Sequence, residues 1–179
     1  MAKLNIFLAD ESYFEQMLDF EHHVTSRHAY KQEIRHEENS SQFNFLRIRL
    51  PREVNLPYPR ERETMVEHWR AADMVFVGTV EEHLLGYMVL DVHSLPKTVR
   101  VTDLVVLNDA RRNGIATAML AVCETWAQSN KYNRVLLDVP LRNDPMVRLV
   151  QKCGYAMSGF MQQYFPNQDP AVFFEKRIG

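Results

Sequence analysis

The feature that most limits how this chain can fold is the direct succession of an apolar run, a basic turn and a helical pattern. Residues 104–107 have the composition of a short buried strand. A basic turn with a single glycine follows at residues 111–117. Apolar side chains then recur at helical spacing, at Ala116, Leu120, Cys123 and Ala127, with Val122 and Trp126 beside them. The sequence therefore predicts strand, turn and helix in that order.

A turn that opens a helix is a suitable place for an anion. The first N–H groups of a helix have no intrahelical partner and lie at the positive end of its dipole. Gly114 would let a ligand approach the backbone, and Arg111 and Arg112 add positive charge, so we expect a phosphate or pyrophosphate. The sequence contains neither Gly-x-x-x-x-Gly-Lys-Ser/Thr nor Gly-x-Gly-x-x-Gly. A solvated connection, or a site for another phosphate metabolite, is the alternative.

A second strand and helix follow the first pair. Residues 134–139 have the pattern of a buried strand, and Asn143 precedes a segment whose apolar face is formed by Met146, Leu149 and Val150. Gly154 is placed to end that helix. The strand–helix–strand order predicts a parallel pair of strands.

These two units resemble the GNAT acetyltransferases. The Arg-x-x-Gly-x-Ala at residues 111–116 is similar to the family's coenzyme A pyrophosphate loop, and Asn143 with residues 149–155 is similar to its second signature. The pattern is closest to ribosomal-protein and protein N-terminal acetyltransferases. It extends to Tyr164-Phe165-Pro166 and the apolar residues 171–174.

The resemblance implies an α/β GNAT fold, with a mixed, mostly antiparallel twisted sheet of six to seven strands flanked by about four helices. It implies a single domain over residues 1–179. Within it, residues 1–98 would form the acceptor side, residues 99–155 the acetyl-CoA core and residues 156–179 the C-terminal strands. The sheet is expected to splay where Val106 and Val139 part.

The resemblance also implies direct transfer of an acetyl group from acetyl-CoA to a primary amine in a ternary complex. The backbone of Leu104, Val105 and Val106 would hold the pantetheine arm, and Asn143 would bond to that arm. The expected pyrophosphate-binding residues are Arg111, Arg112, Asn113, Gly114, Ile115, Ala116 and Thr117.

Catalysis needs a base because an ammonium group cannot attack a thioester. Asp138 is the candidate, since it matches the family's acidic residue and lies inside an apolar run, where desolvation raises the pKa of a carboxyl. The alternative for Asp138 is a structural carboxylate, and Asp103 is the reserve base. The family's usual acid, a tyrosine, is replaced here by Val150, which leaves Tyr164, Tyr155 or water. Tyr164 is the candidate for lining the acceptor site.

The missing tyrosine keeps a second function open, a GNAT-like domain that binds an acyl-CoA without efficient catalysis. The acceptor is predicted to be a small molecule or a protein N-terminus. The exposed strand expected at Phe173 and Phe174 could pair across a homodimer, so monomer and homodimer are both open.

The N-terminal half is predicted from local patterns. We expect a strand over residues 3–9, a helix from Asp10 or Ser12 to about Val24, a helix over residues 63–72 and a hairpin of residues 74–80 and 84–90. Prolines at 51, 57 and 59 predict a loop in the second half of residues 39–63. The arginines there are interpreted as a mixed-charge surface rather than a carboxylate-binding site.

Composition excludes several classes of function. The net charge is −2 and the pI is about 6.4, which gives no general attraction to nucleic acid or an anionic membrane. The first residues are too weakly apolar for a secretory signal. The histidines lack the spacing of a metal site, and the two cysteines are expected to be buried, reduced thiols. We therefore predict a cytoplasmic protein that binds no metal.

Overall fold

The computed structural model describes residues 3–179. It contains nine strands: β1 Asn5–Leu8, β2 Val24–Glu37, β3 Ser40–Leu56, β4 Met74–Val80, β5 His83–Asp91, β6 Thr98–Val106, β7 Arg134–Pro140, β8 Ala156–Met161 and β9 Ala171–Arg177. The α-helices of residues 3–179 are α1 Phe14–Leu18, α2 Arg62–Ala71, α3 Ile115–Ser129 and α4 Asp144–Lys152. Short 3₁₀ turns precede α1 and α3.

Seven strands form one mixed sheet in the order β1-β4-β5-β6-β7-β9-β8. Every neighbouring pair is antiparallel except β6 and β7, which are parallel. Helices α3 and α4 cover one face and α1 and α2 the other, so the apolar side chains form two cores. The predicted sheet, its parallel pair and the number of helices are confirmed.

The sheet opens between β6 and β7. Their pairing runs from Thr98 with Arg134 to Val101 with Leu137 and ends there. On the other side of β6 the register with β5 shifts so that Thr102 is an extra, bulged residue. Beyond this point β6 continues to Val106 without pairing to β7, so the expected splay begins after Val101 and Leu137, earlier than at Val106 and Val139.

The N-terminal third differs from the prediction. The helix ends at Leu18 rather than near Val24, and Val24 instead begins β2, which pairs with β3 in a long separate hairpin. The loop expected from Pro51 onward is shorter than predicted, since β3 runs on to Leu56 and the loop covers only residues 57–61. Pro51 is tolerated because it lies in residues 50–53, which are opposite the register shift and take no part in the ladder.

The hairpin packs onto the C-terminal part of the sheet. Phe43 and Phe45 contact Phe160 of β8, with ring centroids 5.1 and 5.6 Å apart. Arg47 forms a bidentate ion pair with Asp144 at the start of α4. These partners are far apart in the sequence, so no local pattern indicates them.

The exposed edge expected at Phe173 and Phe174 is also wrong. Strand β9 inserts between β7 and β8, which makes it an interior strand, and Phe174 is fully buried. Strand β8 forms that edge of the sheet instead. No helix within residues 3–179 is both long and apolar enough to cross a membrane.

Candidate active site

The predicted anion turn lies at the start of α3. Gly114 immediately precedes the helix with a φ of 82°, a left-handed conformation that favours glycine, and a Cβ there would meet open space. In the part of the chain that the structure describes, no side chain caps this helix start, and its first turn carries no acidic residue. The free N–H groups of the turn are therefore open to an anion from solvent.

The two arginines of the turn differ in their contacts. Arg111 turns away from it, donating from Nε to the carbonyl of Val106 and from Nη2 to that of His23, each at 3.0 Å. Burial lowers the pKa of Arg111. Arg112 is exposed and has a φ of 69°. The Arg111 side chain is therefore directed away from the turn, and Arg112 is the arginine whose side chain is exposed there.

The remaining predicted cofactor residues lie on the end of β6, in the turn, in the first part of α3 and at the start of α4. Leu104, Val105 and Val106 form the part of β6 that does not pair with β7, and the side chains of Val105 and Val106 are buried. The carbonyl of Val106 is the one that accepts from Nε of Arg111. Asn143 is the N-cap of α4, with Oδ1 accepting from the N–H of Met146 at 3.1 Å. Asn113 donates to the carbonyl of Ala110 at 3.3 Å.

Asp138 lies where the two strands separate, one residue beyond the last parallel pair. Its side chain is only 2% exposed. Arg100 donates to Oδ2 from Nε at 2.9 Å, and the Tyr164 hydroxyl donates to the same oxygen at 2.5 Å. Burial raises the pKa of Asp138 to about 6, outweighing the opposing effect of Arg100. Its Oδ1 is buried without a hydrogen-bond partner among residues 3–179.

A cavity of about 550 Å³ adjoins Asp138. Leu136 and Phe173 give it apolar surface, and Asp138, Arg100 and Tyr164 are among its polar lining residues. The ion pair of Arg134 and Glu175 also lines it. The cavity therefore combines apolar surface with one buried carboxylate.

Asp103 has a different environment. Its side chain is 1% exposed and accepts hydrogen bonds from Tyr58, Arg60, His68 and Thr102. Burial acts to raise the pKa of Asp103, but these hydrogen bonds and the nearby positive charge outweigh it, and the pKa falls to about 2. A carboxylate so well satisfied is a poor base, and its contacts with Tyr58 and Arg60 anchor the segment before α2.

The other residues considered for proton donation lie away from this cavity. Val150 is fully buried in the core under α3 and α4. Tyr155 belongs to the same core, and its hydroxyl donates to Glu124 of α3 at 2.9 Å. Tyr164, the tyrosine expected to line the acceptor site, lines this cavity.

Arg100 and the partners of Asp103 were missed by the sequence analysis. Arg100 stands between two buried valines of β6, the same anomaly of a charge inside an apolar strand that singled out Asp138. That signal was available. Tyr58, Arg60 and His68 lie on a connecting segment and on α2, and nothing in their local sequence indicates a partner on β6.

Comparison with known proteins places these features in a family. The model of the acetyltransferase (GNAT) family matches residues 31–155. An N-alpha-acetyltransferase of Saccharolobus solfataricus is 28% identical over 145 residues, 74% of this chain and 83% of that protein. The L-amino acid N-acetyltransferase AaaT of Escherichia coli is 26% identical over 94 residues, 49% of this chain and 56% of that protein.

A solved structure extends the likeness in fold to nearly the whole chain. The crystal structure of nourseothricin acetyltransferase superposes with a TM-score of 0.81 and covers 98% of this chain and 99% of that one. The sequence identity is 13%, so the likeness concerns the fold alone.

The two arginines of the turn are expected to respond differently to substitution. Arg111→Ala removes two hydrogen bonds to backbone carbonyls and should lower the free energy of unfolding by about 1–3 kcal/mol. Arg112→Ala should leave it within about 0.5 kcal/mol but weaken coenzyme A binding about 5–10-fold, less at high salt. Urea unfolding and calorimetric titration measure both, and the reverse pattern would contradict the assignment.

Asp103 is expected to make the fold sensitive to acid. Its folded pKa of about 2 is below its ordinary value of 3.8, so the ionised form stabilises the fold above about pH 4. That stabilisation, about 2 kcal/mol, should be lost as the pH falls from about 4 to 2. Urea unfolding across this range should show the loss in the native chain and in Asp19→Asn, whose carboxylate is 84% exposed. An equal loss of stability in Asp103→Asn over the same pH range would contradict this prediction.

Proposed function

Since this chain belongs to the GNAT acetyltransferase family, we propose that it acetylates the α-amine of an amino acid or a protein N-terminus and that Asp138 accepts the proton this amine must lose. Acetyl-CoA is the cosubstrate of this N-acetyltransferase and supplies the acetyl group as a thioester. An ammonium group has no free electron pair, so the attack requires a base.

The observation that carries the proposal is the state of Asp138. A pKa of about 6 leaves the carboxylate mostly ionised at neutral pH, yet basic enough to take a proton directly or through one water. Oδ2 is held by Arg100 and Tyr164, while Oδ1 has no partner among residues 3–179. A buried oxygen without a partner is costly unless a ligand satisfies it. An ammonium group would do so.

The turn and the gap fit the cosubstrate. The uncapped start of α3 and the exposed Arg112 suit a pyrophosphate, and the open space beside Gly114 allows its approach. The free edge of β6 suits the amide groups of the pantetheine arm, which would pair with it as an added strand. Asn143 would donate from Nδ2 to the same arm.

The relatives support the choice of an α-amine. The two proteins compared above are named for acetylating N-alpha positions and L-amino acids. Both acceptors present one ammonium group next to a variable side chain. The cavity beside Asp138, with apolar surface at Leu136 and Phe173, accommodates such a group.

Catalysis is preferred to acyl-CoA binding alone. The alternative, a domain that binds acyl-CoA without efficient catalysis, rested on the replacement of the family's usual tyrosine by Val150. The cavity contains another tyrosine, Tyr164, together with a buried carboxylate that has a raised pKa. A binding module has no use for that carboxylate.

The acceptor is tested by release of free CoA thiol from acetyl-CoA. The panel should hold peptides with free N-termini, the same peptides blocked at the N-terminus, free amino acids and polyamines. Turnover is expected with free α-amines and not with blocked peptides, and mass spectrometry should place the acetyl group on the α-nitrogen. Turnover confined to polyamines would contradict the acceptor, and no turnover with the whole panel would contradict the enzyme.

The base is tested by Asp138→Asn. In the native chain kcat/KM should rise with pH through about 6, as Asp138 loses its proton, in addition to any change from the amine itself. Asp138→Asn should lower kcat about 10²–10⁴-fold and remove the rise near pH 6. Asp91→Asn is the matched control, because Asp91 also pairs with Arg100, at 3.7 Å. A retained rise in Asp138→Asn would contradict the role.

A further inference from the structure

The hydroxyl of Tyr164 is fixed against the proposed base. It donates to Oδ2 of Asp138 at 2.5 Å and is contacted by Nη2 of Arg100. Tyr164 belongs to the segment between β8 and β9, where its backbone N–H donates to the carbonyl of Asp169 at 3.1 Å. Its ring packs edge-on against Phe165 and Phe173, with centroids 5.0 and 5.4 Å apart. The phenol is therefore held in one place by contacts that do not involve its oxygen.

The reaction needs a proton donor as well as a base. When the bond between the carbonyl carbon and sulfur breaks, the departing CoA thiolate gains from immediate protonation. Among residues 3–179, Tyr164 is the only tyrosine that lines the cavity beside Asp138. The hydroxyls of Tyr58 and Tyr87 are hydrogen-bonded to Asp103 and His22, and that of Tyr155 donates to Glu124 on the opposite face.

We infer that Tyr164 protonates the sulfur of the departing coenzyme A. This inference rests on the proposed function, since it assigns the second half of the same reaction. It places the acid on the segment between β8 and β9, a different element from the helix that carries the family's usual tyrosine. The acid and the base then touch each other on one side of the sheet.

The protons balance in this scheme. Asp138 takes one proton from the ammonium group, and the amine nitrogen forms its bond to the thioester carbonyl carbon. The tetrahedral adduct loses its second nitrogen proton to water as the carbon–sulfur bond breaks, and the sulfur takes the hydroxyl proton of Tyr164. The Tyr164 phenolate then takes the proton held by Asp138 across their short contact. The products are the acetamide, CoA thiol and one proton released to solvent.

The neighbouring charges suit this role. Arg100 of β6 donates to Oδ2 of Asp138 and to the hydroxyl oxygen of Tyr164. Its positive charge would stabilise a transient phenolate on Tyr164. Two further charges affect the pKa of Asp138: Arg60, from the segment before α2, lowers it, and Asp103 of β6 raises it. Arg100 is a positioning residue here, because it acts through Tyr164 and Asp138.

The first test compares Tyr164→Phe with Tyr155→Phe, since both changes remove one hydroxyl and keep the ring. With acetyl-CoA and the best acceptor of the panel, Tyr164→Phe should lower kcat about 10²-fold with KM for the amine changed less than threefold. It should retain the rise near pH 6 and lose any fall in kcat at high pH. Tyr155→Phe should retain the native kcat. A raised KM with native kcat would overturn the inference in favour of simple substrate binding.

The second test changes the leaving group. The acetyl selenoester of the selenol analogue of CoA releases a selenol, which is far more acidic than a thiol and leaves without a donated proton. With this cosubstrate the loss of kcat in Tyr164→Phe should shrink to less than threefold, while the loss of kcat in Asp138→Asn should persist. An equal defect with both cosubstrates would overturn the inference and leave the proposed function intact. No turnover by the native chain would overturn both.

Discussion

The parallel pairing of β6 and β7 ends after Val101 and Leu137, and the proposed site is organised around that end. The bulge at Thr102 shifts β6 at the same level, so the two strands diverge while each stays paired on its other side. The gap leaves the edge of β6 free for an extended ligand and brings Asp138 to its inner end. The same strand leads through a short turn to the start of α3. One interruption of the sheet therefore aligns the proposed pyrophosphate turn, pantetheine strand and base.

Two buried carboxylates on this side of the sheet illustrate how surroundings decide a role. Asp103 receives four hydrogen bonds, and its pKa falls to about 2. Asp138 is also buried but has one oxygen without a partner among residues 3–179, and burial raises its pKa to about 6. The satisfied group stabilises the fold and holds the segment before α2 in place. The unsatisfied group retains the affinity for a proton that proposed catalysis requires, at some expense in stability.

The C-terminal half was predictable because its signals are local. The pattern of residues 104–129 specifies the end of β6 and the helix α3, Asn143 and Gly154 delimit α4, and β6 and β7 are neighbours in the sheet as in the sequence. The hairpin of β2 and β3 was not predictable, since it is fixed by contacts such as Arg47 with Asp144 across 97 positions. The insertion of β9 between β7 and β8 is likewise a property of the whole sheet. Arg111 shows the same limit on a smaller scale: its place in the motif was evident, but its bond to His23 was not.

The most direct test of this account is the crystal structure of the chain with a non-hydrolysable acetyl-CoA analogue. We expect the pyrophosphate on the N–H groups at the start of α3, the pantetheine arm along Leu104–Val106 and the acetyl carbonyl beside Asp138 and Tyr164. A sulfur atom within about 4 Å of the Tyr164 hydroxyl would support Asp138 as the base and Tyr164 as the acid. An acetyl group on the opposite face of the sheet, or a pantetheine arm that does not enter the gap between β6 and β7, would contradict it.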